Sequence, residues 1–124
     1  MKLYFSPYSK DVVRMLGSDV GLICSTSQVN SDGGYTGFTQ QSLRDFVGPK
    51  QELAMDHLGK NESRCDVVKV IKDCVAANFD YIHLHTLDLE LIQYCFRNFN
   101  IHFELGTGED LPFETTGEYL GFLE

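Results

Sequence analysis

Apolar residues along the chain gather in short runs of strand length, and each run ends in a polar or glycine-containing stretch that opens a helix-like segment. Five such runs can be marked, at residues 2–5, 20–24, 52–55, 81–85 and 101–105. The segments between them place apolar residues at helical spacing. Residues 10–16 follow Ser6-Pro7-Tyr8-Ser9, a serine cap with an early proline, and end at Gly17. Residues 40–47 start after Thr39, carry Leu43, Phe46 and Val47 at helical spacing and stop at Gly48-Pro49. Residues 63–78 hold a stripe of Cys65, Val67, Val68, Ile71, Val75 and Ala76, with Lys69, Lys72 and Asp73 outside it. Residues 87–98 point Leu91, Tyr94, Cys95 and Phe96 inward.

Strand starts near residues 2, 20, 51, 80 and 101 recur on the scale of about 30 residues expected of βα units, with two compressed units. The predicted fold class is therefore α/β, a parallel βα repeat of about five units in a single domain over residues 1–124. A complete eight-stranded barrel takes about 200 residues or more.

Composition alters this picture little, because 43% hydrophobic and 23% charged residues are ordinary for a globular chain. Charge narrows the partners. Ten Lys and Arg against eighteen Asp and Glu leave a net charge of −8, which repels nucleic acid and anionic lipid from most of the surface. Residues 1–7 carry no apolar run of signal-peptide length, and no segment approaches the roughly 20 apolar residues of a membrane span. A cytoplasmic location with no membrane partner is expected. None of Cys24, Cys65, Cys74 and Cys95 falls in a Cys-x-x-Cys pair, so they are read as buried free thiols in preference to a disulfide framework or zinc site.

In parallel α/β folds, ligands bind at the carboxyl ends of the strands. Asp56 and His57 follow the third run, His83 and His85 lie two apart on one face of the fourth, and His102 and Glu104 share a face of the fifth. Imidazoles and carboxylates arriving from adjacent strands suit a zinc-type ion. The set is Asp56, His57, His83 or His85, and Glu104, with only His85 near the carboxyl end of its strand. Core packing with a backbone hydrogen bond is the alternative for an isolated histidine, and His102, early in its strand, is assigned a structural place. The longest polar stretch, residues 25–37, contains Gly33, Gly34 and Gly37. These let backbone approach a ligand, and exposed amides there suit phosphate; a plain turn is the alternative.

Residues 26–38, with Gln28-Val29-Asn30 and Gly33-Gly34-Tyr35-Thr36-Gly37, resemble the non-catalytic subunit of class II tagatose-bisphosphate aldolase, as do Leu43-Arg44-Asp45-Phe46-Val47 and Asp56-His57-Leu58-Gly59-Lys60-Asn61. Tyr81-Ile82-His83-Leu84 resembles that family's next strand, and residues 103–110 are similar to a segment of the wider class II ketose-bisphosphate aldolases. The resemblance implies a (β/α)8 TIM-barrel fold whose catalytic relatives cleave ketose bisphosphates with Zn²⁺. It implies His57 as a zinc ligand, Asp56 as the acid/base that moves the proton of the cleaved alcohol, and Glu104 as a further metal or proton-transfer carboxylate. With His85 the expected metal set is His57, His85 and Glu104. The expected sugar-phosphate contacts are Gln28, Asn30, Gly33, Gly34, Tyr35 and Asn61. Lys60 stands where the family has proline, and His85 where it has aspartate. The relatives' later strands have no counterpart in these 124 residues.

Three functional classes follow. The chain is an aldolase-like enzyme that completes its barrel as a homo-oligomer, an accessory subunit that supports a separate catalytic aldolase, or a barrel fragment without activity of its own. The expectation favoured is an aldolase-like domain that binds a sugar phosphate, with catalysis left open.

Overall fold

Each helix begins where a side-chain oxygen meets its first unpaired amides. Ser9, Ser63 and Asp88 accept hydrogen bonds from the backbone N–H of Val12, Asp66 and Leu91, and Thr39 forms a reciprocal capping box with Ser42. In a computed structural model describing residues 3–7, 9–17 and 19–106, these caps start α1 (Lys10–Leu16), α2 (Gln40–Val47), α3 (Arg64–Ala76) and α4 (Leu89–Asn98). They alternate with β1 (Tyr4–Phe5), β2 (Gly21–Cys24), β3 (Leu53–Leu58), β4 (Tyr81–His85) and β5 (His102–Gly106). The expected strand start at Lys2 and the stretch 107–124 lie outside the described residues.

The five strands form one parallel sheet in the order β1-β2-β3-β4-β5. Alternation along the strands sends Leu22, Cys24, Leu53, Met55, Ile82, Leu84 and Phe103 into a shared core with Val13, Leu43, Val67, Ile71, Cys74, Leu91 and Cys95 of the helices. All four helices therefore cover one face, as right-handed crossovers to the next neighbour require. The opposite face carries the row Ile23, Ala54, Tyr81 and His102 in register. Tyr4 crosses this face edge-on to Tyr81, ring centroids 5.5 Å apart, and its hydroxyl donates to Glu52. Neighbouring order, parallel pairing and one-sided helices are those of consecutive units of a (β/α)8 barrel. Among the described residues the sheet is not closed.

Arg44 locks the amino-terminal side of this layer. Its guanidinium donates to the carbonyls of Ala77 (2.9 Å), Gly48 (2.8 Å), Gln51 (2.7 Å) and Asn78 (2.6 Å), joining the end of α2 to the turn between α3 and β4.

The helix faces differ from expectation in two places. In α3, Val67, Ile71 and Cys74 meet the sheet, whereas Cys65, Val75 and Ala76 are exposed. At 3.6 residues per turn, Cys65 and Ala76 fall about half a turn from that line. In α4 the buried stripe is Leu91, Ile92 and Cys95, and Tyr94 and Phe96 flank it in the open. All four cysteines are free thiols, but Cys65 is exposed and not buried as expected. Burial pushes the Cys24 thiol up to about 12 and the Cys95 thiol to about 11, which keeps both protonated and inert.

Candidate functional site

Strict alternation in β3 would put Asp56 on the open face and His57 among the helices. The chain avoids this with a β-bulge. Met55 pairs with Ile82 and Leu58 with Leu84, so three steps along β3 match two along β4. Met55 and Leu58 both stay buried against the helices while Asp56 and His57 sit between them. His57 takes a left-handed backbone, φ 52°, which costs an L-residue energy and marks a position held by its surroundings.

The bulge brings both side chains toward the histidines of β4. Asp56 Oδ1 lies 2.6 Å from His83 Nδ1 and Asp56 Oδ2 lies 3.0 Å from His57 Nε2. His57 Nδ1 in turn lies 3.2 Å from His85 Nδ1. With the carboxylate ionised, His83 Nδ1–H is the donor of its bond to Asp56. Burial, then the neighbouring His57, Lys60 and His83, hold His85 below the ordinary histidine value, and Asp56 opposes them. His83 also leans over β5, because a Cβ added at Gly106 would fall on its imidazole.

Asp56, His57 and His83 offer ligand atoms that all lie within 4.8 Å of one another. His85 joins this group through His57 and not through Asp56. Glu104 pairs in register with His83 and is exposed. Its charge helps raise the Tyr81 phenol, after burial as the larger cause. His102 is exposed at the other end of β5, its ring 6.3 Å from that of Tyr81.

The long loop after β2 is ordered by its own side chains. Gln28 accepts from Ser25 N–H (2.9 Å) and donates to the Tyr35 hydroxyl (2.7 Å). Asn30 donates to the Thr26 carbonyl (2.7 Å) and accepts from the N–H groups of Asp32 (2.8 Å) and Gly34 (3.2 Å). Gly34, at φ 54°, lies so close to the Gln28 carbonyl that a side chain there would collide with it. Gly33 is buried in the same turn, and the Tyr35 ring remains 60% exposed at the loop's edge. Asn61 is exposed on the next loop, where its N–H donates to Glu62 (3.1 Å).

Glu62 was not singled out from sequence, yet it couples the two loops. Its carboxylate accepts from Thr26 Oγ1 (2.8 Å) and Gly59 N–H (2.9 Å) as well as from Asn61. The available signal was an acid immediately before the Ser63 cap and three residues after a glycine.

Fold and cluster define a βα-repeat sheet of barrel type with an Asp/His constellation at the carboxyl ends of β3 and β4. The chain is similar to the D-tagatose-1,6-bisphosphate aldolase subunit GatZ of Salmonella dublin, Salmonella enteritidis and Salmonella gallinarum, 37% identical in each case, over 55% of this chain and 20% of theirs. The resemblance carried by the motifs is thus borne out over part of the chain, which spans about a fifth of the length of these curated relatives (20%). A probable tagatose 6 phosphate kinase from Sinorhizobium meliloti 1021 shares the fold, with a TM-score of 0.62 and 21% identity, covering 98% of this chain and 42% of that one. No family model matches.

Proposed function

We propose that the chain acts in carbohydrate-phosphate metabolism as one aldolase-like domain of the tagatose-bisphosphate accessory type, binding a sugar phosphate over the carboxyl ends of β2, β3 and β4. The observation that carries this reading is the convergence of Asp56, His57 and His83 produced by the β3 bulge. A carboxylate and two imidazoles fit a zinc-type ion, and in this reading these three residues hold it. When bound, zinc supplies Lewis-acid polarisation of a substrate carbonyl. His85 orients His57 through the Nδ1 contact, and the exposed Glu104 beside His83 is the carboxylate placed to take or return a proton.

The partner that fits an accessory role is a catalytic aldolase subunit. A second copy of the chain is the other partner consistent with β1 and β5, each with one strand neighbour among the described residues. No described helix is long and apolar enough to cross a membrane, and the cytoplasm is the location proposed.

Metal analysis of purified wild type and His57→Ala, with aldol cleavage assayed alone and with a catalytic aldolase subunit, tests the proposal. Expected are about one zinc per chain, its loss in the variant, and cleavage that rises when the catalytic subunit is added. No bound metal together with no effect on the catalytic subunit would remove the proposal.

A further inference from the structure

We infer that Lys60 is the anion-binding residue of this site and receives the phosphoryl group of a sugar phosphate beside the His57–His85 pair. The inference rests on the functional reading above and adds a residue that none of the expected substrate contacts included.

Position is the first argument. The connections that leave the carboxyl ends of β1 to β4 span residues 6–9, 25–39, 59–63 and 86–88, and Lys60 is their single Lys or Arg in a chain of net charge −8. Their acids are Asp32, Glu62 and Asp88. Asp88 is bonded to Arg64, and the Glu62 carboxylate is occupied by Thr26, Gly59 and Asn61. Among the described residues no carboxylate lies within ion-pair distance of the Lys60 ammonium.

The turn that carries Lys60 is held on both sides. Gly59 has φ 101°, and a Cβ there would lie 3.3 Å from Thr86 Cβ and 3.5 Å from the His85 carbonyl oxygen. Glycine is thus what lets this turn rest on the end of β4. Glu62 then fixes it from the other side, through Gly59 and Asn61 N–H and through Thr26 of the β2 loop. Lys60 is exposed between those two supports.

The amides of Gln28 and Asn30 are engaged within their own loop, so they cannot neutralise a phosphate without dismantling it. A phosphomonoester carries close to two negative charges, and an ammonium at the rim meets that need as a point charge.

Wild type, Lys60→Ala and Lys60→Arg are titrated with inorganic phosphate and with tagatose 1,6-bisphosphate by calorimetry at two salt concentrations, with zinc content measured in parallel. Lys60→Ala is expected to weaken bisphosphate binding about tenfold, the scale of a lost charge-assisted contact. Lys60→Arg should retain most of it, and added salt should weaken wild type more than the alanine variant. Tighter binding of the bisphosphate than of inorganic phosphate assigns the site to a sugar phosphate, and equal affinities overturn that assignment. Unchanged affinity in Lys60→Ala with zinc retained overturns the role of Lys60 alone. A wild type that takes up neither zinc nor either phosphate overturns the functional reading and this inference with it.

Discussion

At His57 the cost of the bulge can be measured. A left-handed backbone costs an L-residue about 1–2 kcal/mol that glycine avoids, so two truncations of the same side chain should differ. His57→Gly is expected to be more stable than His57→Ala by about 1 kcal/mol in urea unfolding; equal stabilities would mean that φ is not held positive in solution. Arg44 makes the opposite kind of statement, since it is buried and holds four carbonyls. Arg44→Met keeps much of the volume but strands those acceptors, and should cost about 3 kcal/mol. A loss well under 1 kcal/mol would show that water replaces the guanidinium freely. Sequence patterning exposed the residue types at the site, Asp56 and the histidines, because reactive side chains after apolar runs stand out. It did not separate His83 from His85 as the neighbour of Asp56, since parity puts both on one face and only the register set by the bulge, Met55 with Ile82 and Leu58 with Leu84, sets Asp56 beside His83.

Elements were legible where local signals ended them. Serine and threonine caps with glycine stops placed α1 and α2 at the expected residues, and the apolar alternation of 81–85 placed β4. The length of β3 was not legible, because an inserted residue breaks the two-residue period and hides the continuation to Leu58. The inward faces of α3 and α4 were misread because apolar residues surround more of each helix than the sheet can cover. Helix α4 also yields a pH prediction. The Arg64 hydrogen bond, with a smaller share from Leu91 N–H, holds Asp88 below its ordinary 3.8. A carboxylate lowered in the folded state adds stability above the unfolded value and loses it as pH falls through the folded value, because the unfolded chain then binds more protons. Wild type should therefore lose stability below about pH 4 more steeply than Asp88→Asn, which keeps an oxygen for the cap but not the charge. Urea midpoints at about pH 3, 4 and 6 give the comparison; parallel curves would show that the pair contributes nothing, as is common for exposed pairs.

For the whole molecule, the sheet divides labour between its faces. One is sealed by four helices around an apolar core, while the other presents Tyr4, Tyr81, His83, His85 and Glu104 with no helix over them among the described residues. That asymmetry is what consecutive barrel units have, and it places the Asp/His cluster, the tethered loops and Lys60 on one rim. In the function proposed above, this rim holds a metal between β3 and β4. Crystals grown with zinc and measured at the zinc absorption edge decide whether it does. One anomalous peak is expected within bonding distance of Asp56, His57 and His83, absent from crystals of His57→Ala. No peak at that position, or zinc found only at Cys65 or on other exposed side chains, would contradict it.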